Sequence, residues 1–234
     1  MKKNILVFSN GEKIGDGLIK LPLLNEIKKR LPNSRLIWMT NKETTVYNNK
    51  LKNIAGQYID EIIEQAEIKP FFWQKISNKY NFNKINIEYI LDTQKAVIRT
   101  IALKRIKCNQ FISGTASGIF STKKIVLKPR QYLLYDLLDL LNFIKKGDFD
   151  NNFKFPIPND LYKNLENIFK NDKPNIGFAP GAGEENKIWA IENFVEVAKY
   201  YEKKLYNLVF FLGPQEIKFK NLLRKTFPES IFPE

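Results

Sequence analysis

Residues 174–194, PNIGFAPGAGEENKIWAIENF, decide the kind of fold this chain forms. Asn175 to Ala179 is a short, largely apolar run held between Pro174 and Pro180, the pattern of a buried parallel strand. From Ile191 onward, Phe194, Val197, Ala198 and Tyr201 recur at helical spacing. Between them lie Gly181, Ala182 and Gly183, so the stretch has the order strand, glycine-rich loop, helix start. Glycines let backbone amides come close to an anion, and a helix N-terminus adds about half a positive charge. Gly181, Ala182 and Gly183 are therefore candidates for a phosphate cradle, and Lys187 is placed to meet a second phosphate oxygen as a point charge. The alternative is that the glycines serve the turn alone. The loop is neither a Walker loop, since no GK[ST] follows, nor a dinucleotide fingerprint, since GAGEEN lacks the third glycine.

The preceding chain repeats the same alternation, which predicts an α/β fold with a parallel sheet covered by helices on both faces. Asn4 to Ser9 is the first strand, and the loop after it leads into a helix carrying Leu18, Leu21, Leu24, Ile27 and Leu31. Asp16 is a candidate cap for that helix. Pro22 predicts a kink or a late start. Further strands are expected at Arg35 to Met39, Tyr58 to Ile63, Ile87 to Asp92 and Gln110 to Ser113. Helices are expected at Val46 to Ile54, Ala96 to Ile106 and Tyr132 to Ile144, with a loop from Thr115 to Lys124. The aromatic segment from Pro70 to Tyr80, with Phe71, Phe72 and Trp73, reads as core packing of a helix or as a membrane-touching cluster, the former being the commoner use.

The pattern loosens between Lys145 and Lys173, where Pro156, Pro158 and a short helix from Leu161 to Phe169 occur. A domain boundary belongs there. The expected organisation is a first domain over residues 1–158, a linker over 159–173 and the start of a second domain over 174–234. That second unit offers only two strand-helix steps, the later one built on Leu208 to Leu212 and a helix from Glu216. A free-standing doubly wound domain needs more, so the expectation is an incomplete C-terminal domain.

Composition narrows the chemistry. The 234 residues contain no histidine and a single cysteine, Cys108, which excludes Ser-His-Asp triads, Cys-His pairs and histidine or cysteine metal clusters. No metal site is expected, and any general base must be a carboxylate, lysine or tyrosine. No apolar run reaches the length of a membrane span and no signal peptide is evident, so a cytoplasmic protein is expected. The formal charge of +13 asks for an anionic partner: a phosphorylated substrate, a membrane surface or nucleic acid. The lysines are scattered and no nucleic-acid module signature appears, which argues against nucleic acid.

Three stretches together carry a family resemblance. Ile14-Gly15-Asp16-Gly17 with Leu21-Pro22-Leu23-Leu24 and Leu31-Pro32-Asn33-Ser34-Arg35-Leu36 forms the first, and Ile90-Leu91-Asp92-Thr93-Gln94 the second. The third is Pro180-Gly181-Ala182 with Lys187-Ile188-Trp189 and Phe194, followed by Phe211-Leu212-Gly213-Pro214. This combination resembles glycosyltransferase family 9, the bacterial heptosyltransferases that build the lipopolysaccharide inner core. Ala190 stands where the family usually has proline, and Gly17 where a small apolar residue is common. The family's later D.GP.H segment has no counterpart before Glu234.

The resemblance implies a GT-B-like architecture: an N-terminal Rossmann-like parallel-sheet domain that binds the acceptor, and a second Rossmann-like domain that binds an ADP-activated heptose. It implies an inverting, metal-independent transfer with no cofactor beyond the ADP-sugar donor itself. The implied partners are the nucleotide-sugar donor and an anionic glycolipid acceptor, with peripheral contact at the cytoplasmic face of the inner membrane. Asp16 becomes the candidate general base on an acceptor hydroxyl, against the simpler role of helix cap. Gly181, Ala182, Gly183 and Lys187 become the group that stabilises the departing diphosphate. Lys13, Lys20 and Lys123 are candidates for the acidic sugars and phosphates of the acceptor, or solvated surface charges. Asp92 is a second acceptor contact or a plain strand-end residue, and Trp189 is expected to pack its helix against the sheet. The competing classes are a non-catalytic nucleotide-sugar-binding fragment or decayed paralogue, and a basic nucleic-acid-binding protein.

Overall fold

A computed structural model describes residues 2–71, 73–74, 80–127, 130–150, 152–169, 172–182 and 185–233. The chain divides into two compact units, Met1–Pro158 and Asn159–Glu234.

In the first unit, β1 (Lys3–Phe8) leads through a short loop into α1 (Ile14–Arg30), followed by β2 (Ser34–Met39), the single turn α2 (Lys52–Ala55) and β3 (Glu61–Ile63). Then come β4 (Ile87–Asp92), α3 (Val97–Leu103), β5 (Gln110–Ser113) and α4 (Leu133–Ile144). The strands form a five-stranded sheet in the order β3-β2-β1-β4-β5. Every pairing is parallel. The strand order reverses direction between β1 and β4, and in open α/β sheets the crevice beyond the strand ends at such a reversal is where ligands bind.

Strand periodicity explains the two covered faces. Ile5, Val7, Leu36, Trp38 and Leu91 point to one side and pack with Leu21, Leu24 and Ile27 of α1 and Leu137, Leu138 and Leu141 of α4. Leu6, Phe8, Ile37, Met39 and Ile90 point to the other and pack with Ala102, Leu103 and Ile106 at α3. Alternate residues of one strand thus feed two separate cores. On the first side, Arg30 of α1 bonds Glu26 at 3.0 Å, Asn142 Oδ1 at 2.7 Å and the Lys145 carbonyl at 3.2 Å, clamping α1 to the end of α4.

Several local expectations change. Helix α1 begins at Ile14 and runs through Pro22, so the late start is not found; the apolar residues beyond the proline are held by the core. The helix expected over Val46 to Ile54 is a 3-10 turn at Val46–Asn48 followed by the single turn α2. Gly17 accounts for this approach: a Cβ there would lie 2.6 Å from Val46 Cγ2, and the Tyr47 hydroxyl donates to the Gly17 carbonyl at 2.7 Å. Of the aromatic segment, Tyr80 packs against the core, but Phe71 and Trp73 do not. Phe71 and Trp73 are 51% and 67% exposed, while Phe72 and residues 75–79 lie outside the described residues.

The second unit opens with α5 (Asn159–Ile168), a helix within the stretch expected to be a linker. It continues with β6 (Asn175–Phe178), α6 (Ile191–Glu202), β7 (Asn207–Phe210) and α7 (Lys220–Thr226). β6 and β7 form a parallel two-stranded sheet, and Ile231 adds a single bridge to Val209. So narrow a sheet gains its core from aromatics: the rings of Phe178, Phe227 and Phe232 each stack on Phe210, with centroids 5.2, 5.8 and 5.6 Å away. Among the described residues no helix is long and apolar enough to cross a membrane.

Candidate functional site

The first unit presents its chemistry at the C-terminal edge of the sheet, where Phe8 is level with Met39 on one side and Asp92 on the other, and Asp92 with Ser113. The loop after β1 turns sharply at Gly11, whose φ of +113° suits only glycine and whose Cβ would collide with Glu43 at 2.2 Å. Helix α1 starts immediately after this loop. Lys13 is its N-cap residue and no side chain caps it, so Asp16 is not the cap. Asp16 sits instead in the first helical turn, exposed, where the positive end of the helix favours a carboxylate. Lys13 is exposed beside it.

Lys20 differs from the solvated charge that lysine usually is. It is 4% exposed, its ammonium donates to Ser9 Oγ at 3.0 Å, and it lies 5.8 Å from the centre of the Trp38 ring. Burial holds its pKa below the ordinary lysine range, with Glu12 and Asp16 pulling it back up. Glu12 accepts a hydrogen bond from Thr45 Oγ1 through Oε1, while its buried Oε2 has no hydrogen-bond partner among the described residues. Lys20 is therefore internal, one turn along α1 from Asp16 and beneath the loop that leads into that helix.

Asp92 is fully buried. Its Oδ2 accepts from Thr100 Oγ1 at 2.7 Å and Ser113 Oγ at 2.8 Å, and its Oδ1 from the Gln94 amide at 2.9 Å. Burial pushes its pKa up, against the three hydrogen bonds that pull it down. These bonds tie the ends of β4 and β5 to α3, the work of a strand-end clamp. Above it lies a cavity of about 280 Å³ whose lining includes Thr93, Gln94, Lys95, Ser117, Arg130 and Asp136. Lys95 pairs with Asp136 at 2.8 Å, and Arg130 holds Asp139 with two bonds of 2.7 and 3.1 Å. Ala116 and Ser117 both adopt left-handed backbone conformations at the cavity edge, an unfavourable geometry for side-chain-bearing residues. Lys123 is exposed but follows Thr122, which bonds Phe111 near the start of β5.

In the second unit, Gly181 and Ala182 follow β6 as expected, and Gly183 lies outside the described residues. The helix does not begin there. A 3-10 turn at Glu185–Lys187 intervenes, and α6 starts only at Ile191, with Ala190 as an N-cap residue that gives no side-chain bond. The helix end is thus separated in sequence from Gly181 and Ala182, and its positive pole is not directly attached to them. Lys187 is exposed. Trp189 is half exposed and meets Phe194 edge-on with ring centres 5.2 Å apart, so its packing partner is its own helix.

The loop encloses a residue that sequence reasoning missed. Glu216 is 7% exposed, and its carboxylate is so close to two glycines that a Cβ on Gly181 would fall 2.7 Å from Cδ, and one on Gly213 2.6 Å from Oε2. Both glycines are explained by the approach of this carboxylate at the ends of β6 and β7. The available signal was the glutamate two residues after the Gly213-Pro214 turn, which alone does not distinguish a buried acid from a surface one. Among the described residues no group of three His, Cys, Asp or Glu side chains is arranged to hold a metal ion.

Comparison with known proteins agrees with this architecture. The lipopolysaccharide core heptosyltransferase OpsX of Haemophilus influenzae is 19% identical over 204 residues, covering 86% of this chain and 58% of that protein. The chain therefore spans less than two thirds of the length of this curated relative. A glycosyl transferase family 9 structure from Veillonella parvula superposes with a TM-score of 0.68 at 18% identity, covering 98% of this chain and 68% of that one. The E. coli heptosyltransferase WaaC with ADP does so with a TM-score of 0.65 at 14% identity, covering 99% and 74%. The fold is accordingly the GT-B-like α/β fold of these structures. Residues 96–229, more than half of the chain, match glycosyltransferase family 9 (heptosyltransferase), and the chain belongs to that family.

Proposed function

We propose that this chain serves the inverting, metal-independent transfer of a heptose or related sugar from an ADP-sugar to the core acceptor of lipopolysaccharide. The observation that carries the reading is Asp16, exposed in the first turn of α1 beside the strand-order reversal of the sheet. An acceptor hydroxyl attacks the anomeric carbon of the donor as the bond from that carbon to the diphosphate breaks. Asp16 takes the hydroxyl proton, and ADP leaves with the bonding electron pair. The new charge on the β-phosphate is met by the Lys187 ammonium and the Ala182 side of the loop. Glu216, as a buried carboxylate, accepts hydrogen bonds from donor hydroxyls and not from phosphate, which it would repel.

The curated relative is named for lipopolysaccharide core heptosyl transfer and a solved structure of the same fold holds ADP, which supports the choice of acceptor and donor. A protein using these substrates works in the cytoplasm, and we extend the proposal to a peripheral contact at the inner membrane surface. The test is direct: this sequence, within a chain that spans the full length of its relatives, is incubated with ADP-heptose and a heptose-free core glycolipid, and the products are weighed by mass spectrometry. The expected result is a glycolipid heavier by one heptose residue and free ADP, unchanged by excess EDTA. Binding of ADP-heptose without any product would refute transfer and leave only nucleotide-sugar binding; activity lost in EDTA and restored by magnesium would refute the metal-free mechanism.

A further inference from the structure

Phe71 and Trp73 stack face to face on the surface of the first unit, with ring centres 4.8 Å apart and planes 5° from parallel. Their segment is anchored from below. Arg105 donates to the Lys69 carbonyl at 2.6 Å and to the Gln74 carbonyl, so one guanidinium fastens both ends of the turn to the residues just after α3. Helix α3 itself exposes Val97, Ile98 and Ile101, positions that share a face, with Ile98 67% exposed. Phe71, Val97 and Ile98 line one open groove of about 770 Å³ together with Lys42, Lys69 and Arg99. Among the described residues, none that lines the groove is acidic. An apolar patch with three cations at its edge, Glu43 and Glu67 being the exposed acids nearest to them in sequence, is not the ordinary surface of a soluble domain, and such patches mark an interaction site.

We propose that this face, formed by Phe71, Trp73 and the outer side of α3 with Lys42, Lys69 and Arg99 around it, lies against a bilayer of anionic phospholipids. Aromatic rings and branched aliphatic side chains settle at the boundary between headgroups and acyl chains, while lysine and arginine reach the phosphates. Nucleic acid fits the patch less well: the two rings spend their faces on each other, and Val97, Ile98 and Ile101 offer a base nothing to pair with. The proposal gives a location to the peripheral contact named above and takes its biological setting from that reading. A protein that binds vesicles through this face yet transfers no sugar refutes the reaction and not the face.

The test is sedimentation of the 234-residue protein with vesicles of phosphatidylethanolamine and phosphatidylglycerol, and with phosphatidylcholine alone. Binding is expected to the anionic vesicles, to weaken with salt and to be slight on phosphatidylcholine. The triple variant Lys42→Glu, Lys69→Glu, Arg99→Glu is expected to lose about 100-fold or more in partitioning. Phe71→Ser with Trp73→Ser is expected to lose about 10-fold or more. The control Lys163→Glu, Lys203→Glu, Lys225→Glu makes the same change of net charge in the second unit and is expected to keep binding. In a Trp189→Phe background, Trp73 emission is expected to shift to shorter wavelength on vesicle binding, since Trp38 is already buried. This reading needs no folded patch variant. Equal losses in patch and control variants, equal binding to phosphatidylcholine, or an unshifted Trp73 emission would overturn the proposal. So would lipid-independent dimerisation that the aromatic variant abolishes, which would make a second copy the occupant.

Discussion

The loops that follow β1 and β6 occupy equivalent places in their strand-loop-helix steps, yet the first is backed by a buried cation and the second by a buried anion. Lys20, bonded to Ser9, lies beneath the loop that leads to the exposed carboxylate of Asp16. Glu216 lies against Gly181 and Gly213, beside the loop expected to cradle a phosphate. In the first loop the buried charge has the opposite sign to the group on display and supports it. In the second it has the same sign as the proposed ligand, so the proposed phosphate contacts are Ala182 and Lys187 and not the Gly181 side. The lesson is that glycines in a strand-end loop announce a close approach without naming what approaches.

The largest effect that would break this comparison belongs to Asp16. In a chain that spans the full length of its relatives, Asp16→Asn should lower turnover by about 100- to 10,000-fold while nucleotide affinity stays nearly constant, because the proton acceptor is lost and the donor contacts are not. Near-normal turnover in this variant, measured beside ADP binding, would reduce Asp16 to a favourable charge in the first turn of α1. On the other loop, Lys187→Ala should weaken ADP binding by about 1.5–3 kcal/mol, the scale of one charge-assisted hydrogen bond. Titration calorimetry that finds equal affinity for both proteins would remove Lys187 from the site.

Two smaller effects sharpen the contrast between the buried charges. Gly181→Ala forces the Glu216 carboxylate to move, but a flexible side-chain end can swing away, so the stability cost should stay below about 1 kcal/mol. The displaced carboxylate should instead appear as weaker ADP-sugar binding, and Glu216→Ala should make the Gly181→Ala change nearly silent in a double-mutant cycle. Independent, additive losses would show that the glycine serves the turn alone. For Lys20, the folded protein binds its proton less tightly than the unfolded chain does, so its ionised form is a net cost below the folded pKa. That cost is relieved as pH rises through the folded pKa toward the unfolded value of about 10.4. Lys20→Met should accordingly be neutral or mildly stabilising at pH 7 and should flatten this alkaline rise in stability, as seen in denaturation at several pH values. A strong loss of stability would mean that the Glu12 and Asp16 charges need Lys20 more than its burial costs.

Much of the framework was legible from residue order. The apolar spacing of Leu18, Leu21, Leu24 and Ile27 specified α1, and the alternation of strands and helices, with the continuous apolar run Ile5 to Phe8 in β1, specified two covered faces. Asp16 was legible as a glycine-flanked acid at the start of the first helix, and Asp92 as the end of a strand. Whether each faces solvent was not, since Asp92 is enclosed by Thr100 and Ser113 from the next two elements.

By itself, then, the sequence determined the alternation of strands and helices, the absence of histidine chemistry and the motifs by which the family is known. Only the tertiary structure decided that Lys20 is internal and that α6 begins at Ile191, well past the glycines. It also decided that Glu216 occupies the space beside Gly181, and that Phe71 and Trp73 stack in the open when core packing was expected. The physical reason is one and the same: spacing along the chain fixes which side of an element a residue occupies, whereas burial and the sign of its neighbours depend on segments that meet only after folding. Trp38 of β2 covers Lys20 of α1, and Glu216 reaches Gly181 from the following strand-loop step.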